Sequence, residues 1–472
     1  MKYSKIASIL LLSIVIKISF INVGMFWDNV LFASKMGLNL LDNGIFNWLS
    51  IPNESDPGHP PFLATLLAIS WSIFGKSLTT SHMTMIPFVF GTLFQIYLFV
   101  SHFIKNKNSQ LLGFLFVIAD PTFLSQLILV NPEIIQLFFF FLALNGLLKS
   151  NKILKLTGLS FLGLASYRGM MLCGGIFLVD IILSLFVYKK KIYQFFNRKT
   201  ILTYLLGALP AFLYITFRLV FKGWISDNPE EVWGNAWQFD SSEHFFANLF
   251  SNSLVLGHRF LDFGRYALFG FVIITYLFKR KQLNWNQLRP IFIIFIFSTF
   301  IIYFISLLMK NPMGHRYFIP SYLSFSLLTF IILNQFKRKH FIYFILFGSL
   351  LLGNFIIYPK KISQGWDASL AHLPYWKLRK KAIDFLDKDG ITINETATFF
   401  PNRTKIDNID LNNDYRSFIG FSGKEEYVFY SNVFNLSDED LLAIETNYLL
   451  IKRFEKNRVF VEIYQKKQTT SP

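Results

Sequence analysis

The chain has 472 residues, of which 53% are hydrophobic and 57 are phenylalanine, and its mean hydropathy is +0.41. This composition excludes an ordinary soluble protein. Several apolar runs approach the length of about 20 residues that spans a bilayer, so the chain is predicted to be a polytopic helical membrane protein. The single cysteine, Cys173, excludes an internal disulfide and a multi-cysteine metal site.

The formal net charge of +17 would suit a nucleic-acid partner, but the positions of the basic residues argue against one. They cluster in short loops between apolar runs, at 105–108, 149–155, 188–199, 278–282 and 336–340. This distribution is typical of cytoplasmic loops under the positive-inside rule. We therefore expect membrane lipids, and no nucleic acid, as partners.

The first hundred residues contain three apolar stretches, at 5–26, 61–75 and 82–104. The first has the basic start and apolar core of a secretory signal, but no small-x-small cleavage site follows, so we predict a retained spanning helix. If the N-terminus and the loop at 105–108 are both cytoplasmic, only two of the three stretches can cross. The shortest, 61–75, begins at a Pro-Pro pair that suits a helix start. We predict that it lies on or dips into the outer membrane face.

The basic loops also determine how often the later segments cross, because a stretch between two cytoplasmic loops must cross an even number of times. Even crossings are expected for 109–148, 156–187, 200–278 and 290–335, and one more crossing for 341–358. The predicted fold is an all-α polytopic bundle of about eleven transmembrane helices.

Two domains are predicted. The first is the membrane domain at 1–359, with long outer loops at 25–81 and 222–265. From about residue 360 onward charged residues become frequent and the apolar runs shorten. The β-branched and aromatic runs at 448–454 and 458–464 predict a hairpin, and 376–388 has helical spacing. We therefore predict a small extracytoplasmic α/β domain at 360–472.

Charged side chains collect in the segments that this topology places outside. They include Asp28, Asp56, His59, Glu133, Arg168, Arg259, Arg265 and Arg316. Polar groups at membrane depth are costly, so their convergence on one face indicates a functional site. Each also has a structural explanation. Asp28 suits a solvated loop or a cap, Glu133 suits the first turn of a helix, and Arg316 suits a headgroup anchor.

Four short elements carry a resemblance to a known family. They are Asp28-Asn29, Asp56-Pro57-Gly58-His59-Pro60-Pro61, Pro132-Glu133 and Arg316-Tyr317-Phe318-Ile319-Pro320. Over about residues 1–340 the chain resembles the GT-C glycosyltransferases of the dolichyl-phosphate-mannose–protein mannosyltransferase type, which include the bacterial lipid A aminoarabinose transferases. The family usually has Asp-Glu as its first element, so Asn29 departs from the pattern.

The resemblance implies transfer of a sugar from a polyprenyl-phosphate donor to a lipid, glycan or protein acceptor. The reaction would take place on the outer face of the membrane and would invert the anomeric centre. Together with the topology, it implies a location in the bacterial inner membrane, with the active site and the C-terminus outside.

The resemblance also implies roles for particular residues. Asp28 is the expected general base for the acceptor hydroxyl. Arg316, together with Arg259 or Arg265 from the long outer loop, is expected to stabilise the phosphate leaving group.

Asp56, His59 and Glu133 are expected at the rim of the same cavity, where they would contact the acceptor or a metal ion. No cofactor is required by the sequence. A divalent cation is one further candidate partner, because Asp28, Glu54, Asp56 and His59 could supply an oxygen-rich site.

Two other functions stay open at this point. A lipid or sugar transporter or flippase would also be polytopic, but such proteins usually carry broken or polar helices at the midplane and often inverted repeats. Here the charges lie in outer loops and no repeat is visible. A surface-polysaccharide ligase or polymerase would share the outer-face geometry but not the His-Pro-Pro element.

Overall fold

The computed structural model describes residues 2–226, 242–308, 313–337, 339–359 and 362–468. The segment 227–241, which belongs to the predicted outer loop at 222–265, therefore lies outside the described residues. The described chain is mostly helical and ends in a small β-sheet.

The first half of the chain is a succession of helices. In chain order they are α1 Lys2–Ser19, α2 Met36–Asn43, α3 Phe62–Phe74, α4 Leu78–Phe103, α5 Lys107–Ile118, α6 Pro121–Ile128, α7 Pro132–Leu148, α8 Lys152–Ala165 and α9 Tyr167–Ile182. Side-chain caps begin several of them: Asn106, Asn131, Asn151 and Ser166 accept backbone N–H bonds at the starts of α5, α7, α8 and α9. Helices α7 and α9 therefore begin at Pro132 and Tyr167.

The apolar stretch that follows residue 109 is divided into two helices at Asp120. Asp120 caps α6 by accepting bonds from the N–H groups of Thr122 and Phe123, at 3.0 and 3.1 Å. Pro121 occupies the first turn of α6, where its missing N–H costs nothing. As a result α5 and α6 meet at 77°.

The second half continues with α10 Ile192–Phe195, α11 Arg198–Lys222, α12 Ser242–Leu261, α13 Arg265–Lys279, α14 Trp285–Ser306, α15 Ile319–Leu333 and α16 Lys339–Gly353. Helix α12 occupies much of what the sequence indicated as an outer loop, and it meets α13 at 96°. Gly264 makes the bend possible. Its φ is +83°, and a Cβ there would lie 2.0 Å from the carbonyl oxygen of Ser349.

Within the described residues, five helices are long and apolar enough to cross a membrane, or up to seven if each of the two bent pairs counts as one span. The chain is therefore an integral membrane protein, while the number of about eleven crossings stays a prediction. Helix α3 has 13 residues and is too short to span by itself. This length agrees with a helix that does not cross, although its place at the outer face stays a prediction.

The C-terminal segment forms a small α/β unit. Its elements are α17 Pro374–Lys388, β1 Thr396–Thr398, α18 Asp407–Asp410, β2 Ile419–Gly420, β3 Tyr427–Ser431, α19 Asp438–Asn447, β4 Tyr448–Lys456 and β5 Val459–Lys466. The strand order is β2-β1-β3-β5-β4, with β1 parallel to both neighbours and β5 antiparallel to both of its own. The predicted hairpin is β4–β5 and the predicted helix is α17, so both are confirmed.

The C-terminal unit packs directly on the segment that follows α1. Phe26 is 1% exposed and stacks on His372 with ring centroids 4.6 Å apart. It also makes an edge contact with Trp376 of α17 at 5.5 Å. This apolar packing places the C-terminal unit next to Asp28, only two residues further along the chain.

Candidate active site

Asp28 lies where the chain leaves Trp27 and enters a short π-helical turn, Val30–Lys35. Its backbone carbonyl oxygen accepts bonds from the N–H groups of Leu31 and Phe32, at 3.0 and 2.8 Å. Trp27 has a φ of +52°, an uncommon conformation for so bulky a residue. The backbone of Asp28 is thus held by hydrogen bonds, while its side chain remains 33% exposed.

The guanidinium of Arg316 joins three carboxylates from distant parts of the chain. Arg316 lies on the 3₁₀ turn His315–Phe318 that leads into α15. Its Nη2 donates to Asp28, and its Nη1 donates to Oδ2 of Asp367 at 2.6 Å. Its Nε lies 3.3 Å from Oε1 of Glu133. We call Asp28, Glu133, Arg168, Arg316 and Asp367 the Arg316 cluster.

Glu133 and Arg168 complete this cluster from two helix starts. Glu133 is in the first turn of α7, and Nη2 of Arg168, in the first turn of α9, donates to its Oε1 at 2.7 Å. The Arg168 guanidinium also lies over the ring of Tyr317, 4.2 Å from its centroid, which is cation–π geometry. Glu133 therefore links the two guanidinium groups.

The Arg316 cluster is nearly balanced in charge. Three carboxylates meet two guanidinium groups, so its formal charge is −1. Glu133 and Asp367 are 6% and 15% exposed at their side chains, against 33% for Asp28. A planar guanidinium can bind two phosphate oxygens in a bidentate way. An incoming phosphate would therefore compete with these carboxylates for Arg316, and Asp28 is the one most open to exchange.

Asp56 belongs to a second, separate cluster. Its carboxylate accepts bonds from Nη1 of Arg218, on α11, at 3.0 and 3.2 Å. It also accepts a bond from the N–H of Gly58 at 2.9 Å. The carbonyl of Gly58 in turn accepts a bond from the hydroxyl of Tyr214 at 2.8 Å. Asp56 thus folds its own loop onto α11, and it is 0% exposed.

His59 lies beside the Arg316 cluster. Its Nδ1 accepts a bond from the N–H of Tyr167 at 3.3 Å, and its ring contacts Phe32 and Tyr167 with centroids 5.0 and 4.9 Å away. Burial, together with the positive charges of Arg168, Arg218 and Arg316, lowers the pKa of His59 to about 3. The imidazole is therefore neutral near pH 7.

No family model matches the chain, and no curated protein sequence matches it. Its structure is similar to crystal structures of ArnT from Cupriavidus metallidurans. The form bound to undecaprenyl phosphate gives a TM-score of 0.52 at 11% identity, and the apo form gives 0.54 at 12%. Each comparison covers 98% of this chain and 98% of the ArnT chain. The fold is that of the GT-C glycosyltransferases. The fold that the four sequence elements imply is thereby confirmed.

The two loop arginines occupy different environments within this GT-C fold. Arg265 is 1% exposed, donates to both oxygens of Asp120 at 2.7 and 2.9 Å, and lies 3.7 Å from the ring centroid of Tyr322. Arg259 is half-buried, and its Nε donates to the carbonyl of Met313 at 3.0 Å. The structure thus joins Arg316 with Asp28 and Glu133, and it places Arg265 in an ion pair with Asp120.

Two members of the Arg316 cluster were not assigned to the site from the sequence. The sequence shows Arg168 only as one of several charged residues predicted to lie outside the membrane. No motif in its own segment links it to Glu133. Asp367 lies on a 3₁₀ turn, Trp366–Ala368, 51 residues beyond Arg316. That turn is fixed to α6 by Gln126, whose Nε2 donates to the carbonyl of Asp367 at 2.8 Å. The sequence offers only a weak indication that Asp367 belongs to the site, because it is a single acidic residue next to a tryptophan.

The cation site expected in the first outer loop is not assembled in the part of the chain that the structure describes. No three of Asp28, Glu54, Asp56 and His59 come within range of one shared ion there. The reason is that Asp28 contacts Arg316, while Asp56 contacts Arg218.

Proposed function

We propose that this protein is a membrane glycosyltransferase that takes a sugar from a polyprenyl-phosphate donor and transfers it to an acceptor on the outer face of the membrane. The observation that carries the proposal is the contact between Asp28 and Arg316 in a GT-C fold. An accessible acid and a phosphate-binding cation are thereby brought to one point from positions 288 residues apart. That ArnT is bound to undecaprenyl phosphate in one of its structures supports a polyprenyl phosphate as the lipid partner here.

The proposed reaction is a single displacement with inversion. The acceptor oxygen forms a bond to the anomeric carbon as the bond from that carbon to the phosphate oxygen breaks. Asp28 accepts the proton of the acceptor hydroxyl, and the departing phosphate takes up negative charge beside Arg316. The donor phosphate would displace Asp28 from Arg316, so donor binding itself would free the base.

The remaining site residues are proposed to shape the cavity around these two. Glu133 holds Arg316 and Arg168 together. Neutral His59 is suited to hydrogen bonds with an acceptor hydroxyl. Asp56 would act through its loop, because its carboxylate is occupied by Arg218.

The donor phosphate is proposed to have a second cationic contact besides Arg316. Arg259 suits this role better than Arg265, which would have to leave Asp120. We further propose a bacterial inner-membrane location, with the active site and the C-terminal unit outside. The acceptor would be a lipid, a glycan or a protein.

The proposal is tested by mass spectrometry of surface glycans and lipids from cells with and without the gene. We expect one surface molecule to lose a single sugar unit in the deletion strain, and the wild-type gene to restore it. The Asp28→Asn variant should not restore it, although it should reach the membrane in equal amount. Full restoration by Asp28→Asn, or no change in any surface molecule on deletion, would contradict the proposal.

A further inference from the structure

Three potential metal ligands meet at the end of α12, outside the Arg316 cluster. His258 and Asp262 are four residues apart, on the last turn of α12 and just after it, so their side chains lie on one face. His315 approaches them from the turn before α15, with Nε2 2.8 Å from Oδ2 of Asp262. The ligand atoms of all three lie within 4.8 Å of one another.

We propose that His258, Asp262 and His315 bind a transition-metal ion, for which Zn²⁺ is the best match. Two imidazoles and one carboxylate are a common set of protein ligands for zinc, and they leave a fourth position for water. The site contains a single carboxylate, and the guanidinium of Arg259 lies nearby on α12. Ca²⁺ and Mg²⁺ depend on several oxygen ligands, and a site with two imidazoles and one carboxylate does not supply them.

The distances between the three side chains are close to those of a tetrahedral zinc site. Zinc–ligand bonds of about 2.0–2.2 Å in a tetrahedral site separate neighbouring ligand atoms by about 3.3–3.6 Å. The Nε2–Oδ2 distance of 2.8 Å between His315 and Asp262 would therefore open slightly, and His258 would move inward. His258 is exposed, so it is free to make this movement, while His315 is buried and gives the site a fixed point. His315 would carry its proton on Nδ1 while Nε2 binds the ion.

The ion would join two segments that lie far apart in the sequence, and Asp262 already links them to a third. Asp262 already accepts bonds from His315, 53 residues later, and from the hydroxyl of Tyr358, 96 residues later. His315 directly precedes Arg316, so a metal here would brace the turn that carries Arg316. This inference concerns metal binding alone, and it stands whether or not the protein transfers a sugar.

The test is metal binding to the full-length protein, purified in detergent without a polyhistidine tag. The protein is stripped with a chelator, incubated with ZnCl₂, freed of excess metal, and analysed by mass spectrometry of elements. Incubation with CoCl₂ gives a second readout, because tetrahedral Co²⁺ has strong visible absorption. We expect about one zinc ion per protein chain, and a loss of zinc affinity of about 10-fold or more in His258→Ala, because even the loss of a residue that supports a metal ligand typically costs that much. This variant should fold normally because the side chain is exposed.

Two controls decide the location of the ion. His340→Ala removes another exposed histidine, outside the three-residue site, and should bind zinc like the wild type. Glu54→Gln removes a first-loop ligand candidate and should also bind normally. Wild-type protein that holds no zinc above the chelated background overturns the proposal. Zinc that His258→Ala retains, or that Glu54→Gln loses in its place, overturns it too.

Discussion

Replacement of Arg316 by alanine is expected to lower sugar transfer by about 10²- to 10³-fold, the usual cost of removing one donor to developing charge. The loss should appear mainly in the use of the donor and much less in the use of the acceptor, because the guanidinium is proposed to bind the phosphate. Arg316→Lys should restore only part of the activity, since an ammonium keeps the positive charge but loses the bidentate geometry. The measurement is the initial transfer rate as a function of donor and of acceptor concentration.

The experiment must distinguish a loss of protein stability from a loss of donor binding. Without Arg316, three carboxylates lose their shared partner, and removal of one member of a buried ion pair destabilises a protein by about 3–5 kcal/mol. Arg379→Ala is a matched control, because Arg379 is also buried and pairs with Asp410 in the C-terminal unit. Both variants should lower the unfolding temperature, but only Arg316→Ala should weaken donor use. Equal effects of the two on donor use would assign Arg316 a purely structural role.

Replacement of Asp28 by asparagine is expected to lower turnover by about 100-fold or more, within the range for loss of a general base. The amide keeps the shape of the carboxylate but has no useful proton affinity. Donor binding should persist or tighten, because Arg316 would lose a competing anion. Asp42→Asn is the control, because Asp42 is an exposed acid of the same predicted outer loop, and it should retain wild-type turnover. Turnover of Asp28→Asn near the wild-type value would show that another group is the base.

Local patterns were sufficient to predict the parts of the fold that depend on neighbouring residues. Alternating β-branched and aromatic residues indicated the β4–β5 hairpin, and helical spacing indicated α17. The break at Asp120 was harder to predict, because apolar residues continue on both sides of it. The sequence indicates an outer loop across α12, because Glu243, His244, His258 and Arg259 interrupt its apolar residues.

Only those residues of the candidate site that belong to short sequence motifs could be predicted. Asp28, Glu133 and Arg316 each stand at a recognisable helix boundary, and the structure joins them. Asp367 could not be assigned because its contact with Arg316 depends on how the segment after α16 packs on α6. Arg218 was missed for a related reason: it lies inside an apolar helix, and only the folded structure shows that it faces Asp56.

The central claim is tested most directly by sugar transfer with purified full-length protein in liposomes. The donors are a panel of synthetic polyprenyl-phosphate sugars with a labelled sugar, and a lipid and glycan extract of the native membrane supplies acceptors. We predict release of polyprenyl phosphate together with a labelled product of inverted anomeric configuration, both reduced by Asp28→Asn and by Arg316→Ala. If no donor is consumed while the labelled molecule crosses the bilayer, the protein is a transporter and the glycosyltransferase account is wrong.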